Sequence, residues 1–434
     1  MIKTCLFSAL LLATAFPAFG AETRTRYSHG DPTPDEQYML ELINRARANP
    51  AAEGKFLCNS GDDWVETAID YFKVDLDRVR KDFASYPARP PLAFNPLLMS
   101  SARGHSTDMA VRKFQGHNSS DGTSFIDRLT QSGYPYSGLG ESVYSLHVPD
   151  TLFAHVGFNI DWGPGAGGVQ AGVGHRVNMM NFNSTVFKEV GIGVIVRTGS
   201  GAQSHGKLAI TQDFGIADDS HAFLLGVVYV DRNANGICDP GEGKPGVSVS
   251  PSVGDSYAIT STSGGYAIPF SSAASGVLTF SGGGLDAAET RVFSIGKENL
   301  KIDLVTASAG ETPVSLEVLQ KFARENRGHA RFLVRRSGPD DEALTVVIRR
   351  SKGGSRAMAS FSDYSLEAAT IEGANGGSST FRVTLPKGKS STVVTLKAKP
   401  DTKQEVDEKV TFSIKPTSHY RVAKRPPAKL VITR

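Results

Sequence analysis

Hydrophobic positions along this chain change their period near residue 220. Before that point stretches in which they recur every three or four places are mixed with strand-like stretches. In "TPDEQYMLELINRARANP", Met39, Leu42, Ile43 and Ala46 share one face of a predicted helix. Thr33, Pro34 and Glu36 supply its N-cap, a proline at N1 and the returning carboxylate of a capping box. Pro50 marks a stop shortly beyond it. A second helix is predicted in "PLLMSSARGHSTDMAVRKF", with Leu98, Ala102, His105 and Met109 on one side. Residues 55–90 read as an added helical insertion. "VGIGVIVRTG" and "KLAITQDFGI" read as a strand and its hairpin partner.

From residue 222 the pattern becomes short alternating strands. "FLLGVVYVD", "GVSVSP", "SYAITST", "GYAIPF" and "GVLTFSG" are split by Gly, Ser and Pro. Residues 313–434 repeat the style in "ARFLVRR", "LTVVIRR", "STFRVTLP", "SSTVVTLKA", "EKVTFSIKP" and "AKLVITR", a β-sandwich of about seven strands. The fold class expected is multidomain: a mixed helix and strand region at 22–218, then all-β sandwiches at 222–306 and 313–434. A chain of 434 residues is long enough for that division.

Composition narrows the setting. Charged residues are 21% and the hydrophobic set 40%, a globular balance. Lys3, the apolar "CLFSALLLATAFPAF" and the small residues Ala18 and Gly20 form an export signal over residues 1–20, cut after Gly20. No other apolar run approaches 18 residues, so no transmembrane segment is expected. The expected location is secreted, periplasmic or at the cell surface. Cys5 leaves with the signal. Cys58 and Cys238 remain; they can pair in an oxidising compartment, but they sit in different regions.

Charge is uneven. Residues 320–434 hold 23 Lys/Arg against 11 Asp/Glu, a net of +12, and the remainder carries −9. The basic end suits an anionic surface or an acidic glycan; a solvated strand face is the plainer reading. No aromatic stacking pattern accompanies it, which disfavours nucleic acid.

The most specific motif is "DRNANGICDPGE". Asp231, Asn233 and Asn235 stand at positions 1, 3 and 5 of a twelve-residue loop. Gly236 stands at 6, Ile237 offers its carbonyl at 7, Asp239 stands at 9 and Glu242 at 12. Calcium takes six to eight hard oxygens, and a terminal bidentate carboxylate closes the shell. Strands flank the loop, so a structural Ca²⁺ staple is expected rather than a switch. The segment "GVVYVDRNANGICDPGEGKPGVSV" with "TSTSGGYAIPF" resembles the calcium-binding B-type repeats of bacterial adhesins, which are prealbumin-like sandwiches.

The first region offers His117 in "KFQGHN", Glu141 in "GLGES", Asp161 in "FNIDWG" and His175 in "GVGHR". Spacing alone does not bring them together. The ordered set "LINRARANP", "PLAFNPLLMSSARGHSTDMAVRKFQGHNSSDG", "RLTQSGYPYSGLGESV", "GVGHRVNMMN", "VGIGVIV" and "ITQDFG" resembles a bacterial CAP domain, of the cysteine-rich secretory protein/antigen 5/pathogenesis-related superfamily. That resemblance implies an α-β-α sandwich whose cleft is lined by two histidines and two acids. By motif they carry over to His117, Glu141, His175 and Asp161. Phe158 stands where many members have tryptophan, so His155 and Asn159 remain alternatives for the fourth place. Two neutral imidazoles can hold Zn²⁺ or another divalent metal, with the carboxylates orienting the rings or a bound water. The alternative is a cleft without metal, its histidines hydrogen-bonded to the acids.

His105 is expected to be a satisfied core histidine, Asp108 a loop brace and Arg176 a tie from its helix to a carboxylate or carbonyl. "ARENRGHARFLVRRSG", "ASFSDYS" and "PDTKQEVDEKVTFSI" resemble a Calx-beta sandwich, which would place calcium ligands at Glu325, Asp363, Asp401 and Glu405 or Glu408. The functional expectation is an exported protein whose cleft binds a small molecule or lipid, carried on adhesive sandwiches. The alternative is a metal-dependent hydrolase of peptide, lipid or wall material using His117, Glu141 and His175.

Overall fold

The computed structural model describes residues 24–433 except 147–149, 184–185, 198–206, 219–220, 233–234, 307–311, 326–327, 339, 351–358, 361, 375–378, 401–406, 416, 418–419 and 424–426. The export-signal expectation at 1–20 lies outside the described residues, as do Asn233, Asp401 and Glu405. The chain folds as mixed helix and sheet with several separate sheets.

Eight helices, α1 (Pro34–Ala48), α2 (Pro50–Leu57), α3 (Asp63–Phe72), α4 (Leu76–Ser85), α5 (Pro96–Arg112), α6 (Phe125–Ser132), α7 (Thr151–Ile160) and α8 (Gly174–Met180), are described before residue 220. The Thr33–Glu36 capping box is present on α1. Asn49 ends α1 and caps α2, its side chain accepting the Ala52 N–H at 3.1 Å. The interval 55–90 holds α3 and α4.

Strands β2 (Ala93–Phe94), β3 (Tyr136–Leu146), β4 (Glu189–Val196) and β5 (Leu208–Ala217) form one sheet in the order β2-β4-β5-β3. Alternation sends the two faces of β5 to different helices. Ile210 and Phe214 join Met39, Ile43, Phe158 and Met179 in the main core, on the side of α1, α7 and α8. Ala209 packs with Met109, Ala110 and Val143 on the side of α5. The bare glycines of β4 let α5 approach: a Cβ on Gly191 would lie 2.0 Å from the Leu98 carbonyl carbon. Strand β3 is the sheet edge, so elements from both faces can reach it.

Strand β1 (Thr25–Arg26), at the start of the described chain, does not join that sheet. It pairs in parallel with β8 (Ser256–Ile259), on the edge of a five-stranded sheet completed by β7 (Val247–Pro251), β10 (Ala274–Gly282) and β11 (Glu289–Ile295). A facing sheet joins β6 (Ala222–Tyr229), β9 (Gly265–Phe270), β12 (Leu300–Lys301) and β13 (Leu304–Val305). Their inner faces share one core, including Leu224, Val249, Ile268, Leu278 and Phe280. Tyr27 and Ala93 pack with Phe223, Leu225 and Ala267. Asn299 donates to the carbonyls of Pro91 and Lys188 at 2.9 and 2.7 Å, and Lys301 pairs with buried Glu41 of α1 at 2.9 Å. The regions before and after residue 220 therefore meet through a core and buried polar bonds.

Beyond residue 311 the described strands form a five-stranded and a six-stranded sheet around a third core that includes Phe332, Ile348, Phe381 and Phe412. Among the described residues eleven strands stand where about seven were expected. The additions include Ile371–Glu372 and Tyr420–Val422, too short for alternation to announce them. Cys58 is half-buried, Cys238 is buried, and both are free thiols.

Candidate functional site

Two histidine–carboxylate pairs lie on opposite faces of the sheet edged by β3, one on the strand itself and one on helices packed beside it. On the α5 face, His117 sits in the loop between α5 and α6. Its Nδ1 lies 2.8 Å from Glu141 Oε1. Glu141 stands on β3 with its side chain 1% exposed, whereas that of His117 is 56% exposed. Arg128 of α6 pairs with the second Glu141 oxygen and donates to the His117 carbonyl at 2.8 Å. The hydrogen bond to Glu141, with its charge, raises the His117 pKa above the ordinary value; burial and Arg128 oppose.

On the other face, Asp161 ends α7 in a left-handed conformation, and its Oδ1 lies 2.8 Å from His175 Nδ1 at the start of α8. Phe158 meets the His175 ring edge-on at 5.2 Å between centroids. Arg176 fixes this corner by donating to the carbonyls of Asn159 and Ile160 at 2.6 and 2.7 Å and to Asp82 at 2.9 Å. Val173, just before α8, is held at φ +44°, strained for a β-branched residue. Asn178, one turn after His175, donates to the Glu141 carbonyl at 3.0 Å and to the Ser142 hydroxyl at 3.2 Å. Helix α8 is thereby bonded to the strand that carries Glu141.

His155 and Asn159, the alternatives for the fourth place, lie in the core instead. Both are fully buried, and His155 Nε2 lies 2.9 Å from Glu53, which Arg45 grips at 2.7 and 2.8 Å. Burial lowers the His155 pKa. His105 bonds the Gly116 carbonyl at 2.8 Å, and Asp108 accepts from the Ser120 N–H and hydroxyl, each at 2.7 Å.

In both pairs Nδ1 faces a carboxylate and leaves Nε2 for a ligand, the arrangement that carboxylates bonded to the far ring nitrogen impose on metal-binding histidines. Yet among the described residues no three His, Cys, Asp or Glu side chains are arranged to hold one ion. A hydrolytic zinc centre uses three protein ligands. The donor set does not fit one.

The loop at 231–242 is closed by the Val230 N–H on the Glu242 carbonyl at 2.9 Å, with Gly236 at φ +78°. Asp231 accepts the N–H groups of Asn235 and Gly236 at 3.1 and 3.0 Å. Glu242 accepts those of Arg232 and Asp239 at 2.8 and 3.0 Å, and Asn235 bonds Asp239 at 2.8 Å. Burial pushes the Glu242 carboxyl up to about 7; the Asp239 N–H opposes, and the charges of Asp239 and Asp231 add to the rise. A dication would offset that penalty, and the donors are the hard oxygens calcium takes. In the third region Asp363 accepts from the Ser360 and Ser362 hydroxyls at 2.9 and 3.1 Å, Glu408 is buried, and the Glu325 N–H bonds the Thr433 carbonyl at 2.9 Å.

Sequence reasoning passed over Arg128 and Asn178, and over the buried polar stretch of β5 that includes Asp213. One signal was present: "TQD" is a polar run inside a strand whose six residues from Leu208 to Asp213 are all buried.

No family model matches the sequence, and no curated protein matches it. Among solved structures, an extracellular protein containing an SCP domain from Bacillus anthracis is 22% identical with a TM-score of 0.21, the match covering 35% of this chain and 39% of that one. The apo form of a Calx CBD1 domain is 16% identical with a TM-score of 0.20, over 28% of this chain and 96% of that one. A carbohydrate-binding candidate from Bacteroides uniformis is 11% identical with a TM-score of 0.16, over 49% and 99%. No helix among the described residues is long and apolar enough to cross a membrane.

Proposed function

We propose that this is an exported modular protein whose first region, 22–218, is a CAP-like head binding a neutral lipid or small molecule in the cleft of His117, Glu141, Asp161 and His175. The sandwiches at 222–306 and 313–434 carry the head and hold the protein to a surface. The first is stapled by Ca²⁺ through Asp231, Asn233, Asn235, Ile237, Asp239 and Glu242. The second offers an anionic surface or glycan the exposed cations Lys409, Arg349 and Arg382, which stand on adjacent strands.

The observation that carries the reading is the pairing itself. Two buried carboxylates orient two partly exposed imidazoles: Glu141 on the edge strand β3 holds His117, and Asp161 at the end of α7 holds His175 on α8, a helix bonded to β3 through Asn178. Such a site presents fixed Nε2 atoms to a ligand without supplying a three-ligand metal centre. Ligand binding is therefore favoured over hydrolysis.

Calorimetry with phosphatidylcholine vesicles and, separately, with Zn²⁺ tests this on wild type and His175→Ala. Vesicle binding that is lost in a folded His175→Ala supports the cleft reading; equal binding by both proteins sinks it. Hydrolysis of an ester or peptide that needs Zn²⁺ and His175 would replace it with the hydrolase reading.

A further inference from the structure

We infer that Asp213 is a fifth member of this site, an aspartic acid that keeps its proton at neutral pH and hydrogen-bonds Glu141 through its O–H. Asp213 of β5 stands directly opposite Glu141 of β3 in the antiparallel ladder. Cross-strand partners place their Cβ atoms roughly 5 Å apart on the same face. Asp213 is fully buried. Its polar neighbours are Ser101 of α5 and Glu141, with Arg128 of α6 the nearby cation. Opposite it on β4 is Gly191, which adds no side chain. Among the described residues neither Asp213 oxygen has a hydrogen-bond partner, and the Ser101 hydroxyl is also unpartnered.

The donor count decides the charge. Glu141 already receives His117 on one oxygen and Arg128 on the other. A second carboxylate beside it would be a buried anion with no N–H donor and no cation of its own. A protonated Asp213 has one O–H to give, Glu141 has spare lone pairs to take it, and the Ser101 hydroxyl can turn to the remaining Asp213 oxygen. Burial pushes the Asp213 carboxyl well above the usual range and the Glu141 charge adds to this, while Ser101 and Arg128 oppose. Two adjacent carboxyls that share a site separate in this way, one charged and one not.

Asp213 is thus a positioning residue: its O–H holds the Glu141 carboxylate that orients His117. This half of the cleft then carries one anion balanced by one guanidinium, a field that suits a neutral polar group better than a dication. That last consequence rests on the proposed cleft; the proton on Asp213 does not.

Carboxyl ¹³C NMR of the full chain, labelled at aspartate, reads the proton directly in wild type. One aspartate signal should stay that of a neutral acid at pH 7, and Asp213→Asn should remove it. His117 should titrate unchanged in Asp213→Asn, because no charge has been lost, with the amide N–H replacing the acid as donor. Wild-type signals that are all carboxylate at pH 7 would overturn the inference, even if the variant fails to fold. So would a drop in the His117 pKa in a folded variant. Either failure leaves vesicle binding through His175 untouched, so the two readings fail separately.

Discussion

Glu141→Gln separates a buried anchor from a surface contact. The substitution keeps the side-chain shape and removes the charge that both Arg128 and His117 use. Arg128 and Glu141 are 10% and 1% exposed, so water screens their contact little. Breaking one side of a buried pair costs about 3–5 kcal/mol, because the remaining charge is left uncompensated. His117 is 56% exposed, so its share is the fraction of a kcal/mol typical of surface pairs, and nearly all the loss comes from Arg128. The histidine gives a second, independent readout. Its pKa is raised by Glu141, while burial and Arg128 both lower it. With the Glu141 charge gone while burial and Arg128 still lower the His117 pKa, His117 should titrate lower than in wild type.

The pH dependence follows from the same shift. In wild type the folded His117 pKa is raised, so its stabilisation is fully present below about 6.5 and is lost as pH rises through the elevated value. Glu141→Gln should abolish that contribution. Denaturant unfolding across pH 5–9, with the His117 ring followed by NMR, measures both effects. A variant destabilised by under about 1 kcal/mol, with His117 titrating no lower than in wild type, would refute the anchor.

Arg47 is fully buried and donates to the carbonyls of Pro90, Met179 and Phe187 and to Asn181 Oδ1. Arg47→Met should cost at least about 3 kcal/mol in denaturant unfolding, since four acceptors lose their donor. Asn178→Ala should cost about 1–2 kcal/mol for two lost bonds, and hydrogen exchange should quicken in α8 but not in β6–β11. Calcium at a hundred times its Kd should raise the unfolding free energy of the second region by about 2.7 kcal/mol. Glu242→Gln should remove that increment in differential scanning calorimetry, and a wild type indifferent to calcium would reduce the loop to a polar turn.

Local chemistry was legible in the chain wherever a few adjacent residues determine a conformation. Thr33 and Glu36 start α1 because their side chains reach only three residues along the backbone. The alternation of "ARFLVRR" specifies a strand because a pleat has period two. The loop at 231–242 is readable for the same reason, its polar groups bonding within a dozen residues. Other features depend on partners far away in sequence. Strand β1 has two residues and no periodicity of its own, and its place is set by Tyr257, more than two hundred positions on. His117 is 24 residues from Glu141 and His175 is 14 from Asp161, so no spacing rule joins them. The paired strands β3 and β5 put Glu141 opposite Asp213, and only that register sets two carboxyls side by side. A sequence names the groups able to carry charge. Burial and cross-strand neighbours, created when the chain closes on itself, determine which of them keeps it.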